Sequence, residues 1–450
     1  MPETAHPESG DTLTTPAGSK ARAARAVGHS ILTRIGIIVL NMGTGILTAR
    51  MLHPDGRGQQ AAMTLWPLFL ANATALGTPS SMIYHLRRRA GAAWEPLVAS
   101  GLAMVTLLGL VAAFVGALVL PHWLHEYPAD IVRWAQLFLL TAPLWAVQIT
   151  GQSALEALGQ FSRSNVVQVM IPATTLTGLL TFLALGRFNP VTAAFCYTVA
   201  IVPTSATIVA MLWRRRTPGA IALRWAACRT LLGYGIRSAP LDLLGTLALY
   251  LDQVLVIGLL TQAEMGSYTV VLSLSRALLL FQASVVMVLF PMAAGRERGE
   301  IVAMVGEPVR LNTILTGAAA LTACVLGPLA LRLMYGVQYL SAVPALRVLV
   351  AEVVVQGAVV VMSQAFMAAG RPGIVSILQG TGLALAAPLM LVLIPRYGVT
   401  GAAMALLCST CARFGLIYAS FPVFLGERLP RVVPGVADVK TLWRLIRKRI

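Results

Sequence analysis

Along most of its length the chain does not alternate apolar with polar positions; it alternates long apolar runs with short polar connections. A hydrocarbon core of about 30 Å needs about 20 apolar residues per helix, and backbone groups in lipid must be satisfied within their own element. The runs therefore predict transmembrane helices and not barrel strands. Twelve spans are expected, over 30–52, 58–84, 97–120, 131–154, 163–186, 191–213, 238–260, 268–292, 311–334, 344–368, 373–395 and 399–425.

Polar residues inside these runs recur at helical spacing. Arg34, Asn41 and Thr48 are seven apart in the first span, a spacing that drifts only about 20° per step and keeps them on one face. Thr141, Gln148 and Gln152 share a face of the fourth span, and Glu352, Gln356 and Ser363 share one in the tenth. In the seventh, Asp242, Thr246 and Gln253 align, with Asp252 about 80° round the helix. Thr269 and Arg276 mark the eighth. An ionised group at mid-membrane costs roughly 2.5 to 3.5 kcal/mol on insertion scales, so Arg34, Asp252 and Arg276 point to a shared wet cavity. Two structural alternatives stand beside this: a structural ion pair for the charges, and interhelical hydrogen bonding for the neutral residues. Beyond Arg34 and Arg276 no further mid-span arginine is expected.

Composition agrees with the pattern, since hydrophobic residues make up 57% of 450, charged residues 11%, and mean hydropathy is +0.77. The formal charge of +17 does not point to nucleic acid, because the arginines lie between apolar runs and not on one soluble face. Alternate connections carry Arg87 to Arg89, Arg163, Arg214 to Arg216, Arg296 and Arg371, whereas the opposite ones hold Arg57, Arg187, Arg396 and little else. The positive-inside rule then places both termini in the cytoplasm. Five cysteines, four of them in spans, indicate no disulfide framework. The Cys408–Cys411 CxxC lacks a second ligand pair and is expected as buried packing, so neither a metal site nor a cofactor is expected. The domain plan is a disordered basic cytosolic tail over 1–27, a six-helix lobe over 28–213, a cytosolic linker over 214–237, a second lobe over 238–425 and a basic cytosolic tail over 426–450. That last tail can form a short amphipathic helix on anionic headgroups.

The halves repeat. Gly266 lies 208 positions after Gly58, Gly370 lies 211 after Gly159, and the VTGAA at Val399 lies 208 after the VTAAF at Val191. Each half has an even number of spans, so the repeats are parallel, with a substrate path between them.

Taken in order, ILTRIGIIVLNMGTGILTARMLHPDGRG, LYLDQVLVIGLLTQAEMGSYTVV, LSRALLLFQASVVMVLFPMAA, LRLMYGVQYLSAVPALRVL and MAAGRPG resemble the polysaccharide (oligosaccharide-lipid) flippases of the multidrug/oligosaccharidyl-lipid/polysaccharide exporter (MOP) superfamily. The resemblance implies an all-α membrane protein with two parallel six-helix lobes forming a V around a cationic central cavity. It implies alternating access, with a polyprenyl-pyrophosphate saccharide flipped across the bacterial cytoplasmic membrane for surface polysaccharide or lipopolysaccharide export. It matches Arg34 and Arg276 to cavity arginines and Asp252 to the acidic residue of an "LD" motif. Twelve spans instead of fourteen argue against a peptidoglycan precursor as cargo.

The expected substrate-binding set is Arg34, Asn41, Gln148, Gln152, Asp252, Arg276 and Gln356, with Asp242, Asp252 and Glu352 as candidates for a coupling ion. The partners expected are the lipid-linked oligosaccharide, membrane lipids and other polysaccharide export proteins, with no nucleic acid. The alternatives are an ion-coupled drug or organic-cation antiporter of the same superfamily and, from another class, a membrane-embedded polymerase or glycosyltransferase. The enzyme reading needs a catalytic extracytoplasmic loop, for which the short HWLHEYPAD, with Glu126 and Asp130, is the best candidate. A transporter and not an enzyme is therefore expected.

Overall fold

A computed structural model describes residues 17–88, 93–214, 223–279, 282, 298–426, 429–433, 435 and 438. Among them there are helices and turns and no strand. The first half contains α1 (Ala17–Thr74), α2 (Thr78–Arg88), α3 (Glu95–Trp123), α4 (Ala129–Phe138), α5 (Ala142–Ala157), α6 (Phe161–Ala184), α7 (Pro190–Val199) and α8 (Ile201–Trp213). The second contains α9 (Trp225–Leu259), α10 (Gln262–Arg276), α11 (Arg298–Ala330), α12 (Val343–Ala368) and α13 (Pro372–Ser420).

Several spans are assembled from joined helices. The backbone leaves helical geometry at His53 (φ 57°, ψ 179°), so α1 carries the first span and starts the second, which α2 completes. Gly398 (φ 55°, ψ −136°) divides α13 into the eleventh and twelfth spans in the same way. The α4–α5 and α7–α8 pairs make the fourth and sixth spans. Among the described residues seven helical stretches are long and apolar enough to cross a membrane by length and composition, and they include the 54-residue Pro372–Leu425.

Three expectations change. The tail expected to be disordered through residue 27 is helical from Ala17. Residues 225–237, expected in a linker, continue α9, where Leu231 is buried against Met82 and Leu97 of the first half. Cys408 and Cys411 are exposed on α13 and not buried, because the twelfth span turns that face away from its neighbours. The rest of the basic tail beyond Asp438 lies outside the described residues.

The internal repeat survives as geometry. Gly159 (φ 73°) and Gly370 (φ 71°) reverse the chain after α5 and α12 in the left-handed region that glycine adopts freely. Each turn closes with the same bond five residues back, Gln160 N–H to Leu155 O at 2.8 Å and Arg371 N–H to Phe366 O at 2.9 Å. Gly58 and Gly266 meet across the halves. A Cβ on Gly58 would overlap the Gln262 carbonyl, and one on Gly266 would overlap the Pro54 carbonyl. Because 54 and 262 are also 208 apart, the contact is reciprocal.

The same end of the bundle, opposite the arginine-rich connections, is joined by further bonds between the halves. Trp123 Nε1 donates to Val254 O (2.9 Å), Tyr339 Oη to Ala49 O (2.9 Å) and Gln59 Nε2 to Gln262 Oε1 (2.7 Å). Arg50 donates to the Met334 carbonyl (2.8 Å) and to the Leu333 carbonyl, where the ninth span ends.

Candidate substrate cavity between the lobes

The eighth span is aimed by its own N-terminus. Thr261 and Glu264 form a reciprocal cap: the Glu264 N–H donates to Thr261 Oγ1 (3.4 Å) and the Thr261 N–H to Glu264 Oε2 (3.1 Å). From that start, helical spacing places Tyr268 and Arg276 beside α9. There Asp252, 2% exposed, accepts from Tyr268 Oη (2.7 Å) and pairs with Arg276 Nη2 (3.2 Å) through the same Oδ2. Arg276 Nη2 also donates to Leu249 O at 3.2 Å. Asp252 Oδ1 is buried without a hydrogen bond.

Arg276 and Arg57 line one cavity of about 300 Å³. The first half contributes Arg57, Gln60, Thr64 and Tyr197, and the second Gln253, Thr269, Ser273 and Arg276. Arg57 was expected in a connection. The turn at His53 carries the chain back into the bundle and puts Arg57 on the cavity wall, its guanidinium 6.0 Å from the centre of the Tyr197 ring. Arg57 donates to Thr48 Oγ1 (2.9 Å) and to Gln60 Oε1, its Nε is buried with no acceptor, and among the described residues it has no carboxylate partner.

A second polar cluster sits in the C-terminal lobe. Thr410 Oγ1 donates to Glu352 Oε1 (2.7 Å), while Arg413 donates to Gln356 Oε1 (3.4 Å) and Gln379 Oε1 (3.1 Å). Glu352 feels the charges of Arg276, Arg413 and Asp252, so the cluster and the Asp252–Arg276 pair share one field. Arg413 corrects the expectation that no further arginine lies in mid-span. It stands in the apolar stretch CSTCARFGLIY and was readable there.

The other expected residues are placed elsewhere. Gln148 and Gln152 form a ladder along α5, Gln148 to Gln152 at 2.9 Å and Gln152 to Glu156 at 3.1 Å, with Ser164 donating to Glu156 at 2.8 Å. Glu156 was missed, although it extends the Gln148–Gln152 spacing by four. Asn41 is exposed on α1, and the Arg34 side chain lies outside the described residues. Asp242 accepts from Ser80 of α2 (3.1 Å) and stands ten residues, about 15 Å, along α9 from Asp252. The three coupling-ion candidates therefore do not converge. No group of three metal-ligating side chains occurs among the described residues.

A helical membrane protein of two six-helix lobes forming a V around a central cavity is the class that this fold and cavity define. The chain belongs to the polysaccharide biosynthesis protein family, whose model matches residues 25–295. Among solved structures it is similar to the lipid II flippase MurJ in an inward closed conformation, with a TM-score of 0.75 at 13% identity over 87% of each chain. It is also similar to an inward-facing multidrug resistance MATE transporter of the MOP superfamily, with a TM-score of 0.69 at 16% identity over 87% of this chain and 94% of that one. A third is a MOP superfamily transporter from Pyrococcus furiosus described as having a binding pocket of reverse polarity, with a TM-score of 0.62 at 16% identity over 89% and 95%. No curated protein matches the sequence significantly.

Proposed function

We propose that the protein flips a lipid-linked oligosaccharide, a saccharide on a polyprenyl pyrophosphate, across the bacterial cytoplasmic membrane for surface polysaccharide export. The observation that carries this reading is the uncompensated Arg57 guanidinium facing Arg276 across one cavity, one arginine from each lobe. A pyrophosphate is the complement of two such groups, since guanidinium donates paired hydrogen bonds to phosphate oxygens. Gln60, Thr64, Gln253, Thr269 and Ser273 supply the uncharged donors and acceptors a sugar requires, while the lipid tail stays in the bilayer. The arginine-rich connections face the cytoplasm. Rocking of the lobes about the Gly58–Gly266 seam then exposes the cavity to either side in turn, the alternating access of repeat-built transporters.

A drug or organic-cation antiporter is the second reading, favoured by the carboxylates Asp252 and Glu352. Asp252, however, is already engaged by Tyr268 and Arg276, and Glu352 by Thr410, so the free charge on the cavity wall is positive. Replacing Arg57 and Arg276 separately by Ala distinguishes the two. Lost surface polysaccharide with lipid-linked saccharide accumulating on the inner leaflet supports the flippase; intact export with altered dye efflux overturns it.

A further inference from the structure

At the end of the bundle opposite the arginine-rich connections, the C-terminal lobe holds a second cavity of about 370 Å³, separate in its lining from the one between Arg57 and Arg276. Four connections converge on it, through Pro54, Glu264, Gln338 and Tyr397. Its chemistry is unlike that of the rest of the bundle. Most Ser and Thr hydroxyls in these helices are spent on a carbonyl one turn back, as at Thr48, Thr198 and Thr316. The hydroxyls of Ser267, Ser341, Tyr397 and Thr400, all on this cavity, make no hydrogen bond among the described residues. Glu264 uses Oε2 for the cap of α10 and leaves Oε1 free, 2.8 Å from where a Cβ on Gly398 would stand. Tyr397 is 58% exposed, so its ring is a bare apolar plane at the edge of a polar cup.

We propose that this cavity is a saccharide-binding subsite, in which a sugar ring lies on Tyr397 while its hydroxyls bond to Glu264 Oε1, Ser267, Ser341 and Thr400. An apolar ring face beside equatorial hydroxyls is what a sugar presents, and an aromatic plane rimmed by uncharged donors with one carboxylate acceptor complements both. The subsite rests on the reading that the protein exports a saccharide, and it adds a receiving position on the far side. Pro54 belongs both to this cavity and to the Gly266 contact, so rocking of the lobes moves one wall of the cup.

The test is saturation-transfer NMR on the full-length protein in nanodiscs, with neutral hexose and N-acetylhexosamine disaccharides as free probes, run beside a flipping measurement on the lipid-linked substrate. The expected result is millimolar binding to the unaltered protein, weakened about tenfold in Tyr397→Ala and in Ser341→Ala/Thr400→Val, and unchanged in Arg276→Gln. Glu264→Gln keeps the helix cap and is expected to weaken binding less. Absence of transfer to the unaltered protein, or transfer undiminished in Tyr397→Ala and in the double variant, overturns the subsite. Disaccharide binding that depends on Tyr397 alongside flipping indifferent to Arg276 upholds the subsite and overturns the pyrophosphate reading; the reverse pattern overturns the subsite alone.

Discussion

Arg57 and Arg276 come from opposite halves of the duplicated chain and face the same cavity, but among the described residues only Arg276 has a carboxylate partner, Asp252 at 3.2 Å. The two arginines therefore have different roles: one is positioned by a counter-charge, and the other, held by the neutral oxygens of Thr48 and Gln60, keeps a buried Nε with no acceptor.

Arg57→Gln is expected to lower flipping about 10- to 100-fold, since a hydrogen bond to a charged group contributes about 1.5 to 3 kcal/mol. Arg57→Lys restores the charge without the paired donors and should fall in between. Proteoliposome flipping rates measure both. A rate for Arg57→Lys equal to that of the unaltered protein would show that the paired-donor geometry at Arg57 is irrelevant.

Asp252, Tyr268 and Arg276 act as one unit because both donors meet the same Oδ2. Asp252→Asn is expected to destabilise by about 1 to 3 kcal/mol, below the usual penalty for breaking a buried pair because the Arg276 side chain is 35% exposed. Tyr268→Phe should cost about 1 to 2 kcal/mol, leaving one acceptor site unfilled. The double variant should cost less than the two singles combined, by at least about 0.5 kcal/mol. Thermal unfolding in detergent reads this cycle, and additivity would contradict the shared acceptor.

Gly58→Ala and Gly266→Ala each force a methyl group into a backbone carbonyl of the opposite half. Overpacking of this kind costs about 1 to 3 kcal/mol, and here it is relieved by parting the lobes at one end. Cysteines placed across the seam should then cross-link more slowly in either variant, with the protein still inserted and flipping reduced. Unaltered cross-linking would mean that the seam opens without cost.

The C-terminal segment is tied to α11 by Asp438. The Gly435 N–H (2.8 Å) and then the Arg310 guanidinium (2.9 Å) hold its carboxyl below the usual carboxylate range. A depressed pKa means the tie is complete above about pH 4, the ordinary Asp value, and is lost as pH falls below it through the folded-state pKa. Asp438→Asn should release the segment at neutral pH. Limited proteolysis near residue 430 tests this, with faster cleavage expected in the variant and no further acceleration by acid.

The apolar runs and the duplication were legible from run length and glycine spacing: the 211-residue offset of Gly159 and Gly370 marked a repeat, and the structure adds that both glycines reverse the chain in the same way. The cavity wall was legible where a polar residue interrupts an apolar run in the seventh and eighth spans, as Gln253, Thr269 and Arg276 do. Arg57 was hidden because Pro54, Asp55 and Gly56 mark a turn, and no local pattern tells whether a turn delivers its next residue to water or to the bundle interior. Asp242 misled for the opposite reason. It interrupts an apolar run as Asp252 does, yet its partner Ser80 belongs to a helix 162 residues earlier, a relation that only the packed structure contains.

At the Gly58–Gly266 seam the nearest atoms are main-chain ones, of Gln262 on one side and of Pro54 and Gly58 on the other. The close approach therefore depends on the missing Cβ at two equivalent positions of the repeat, one in each half. What the seam fixes is the register of the two halves, and with it the placement of one arginine from each, Arg57 and Arg276, on a single cavity wall.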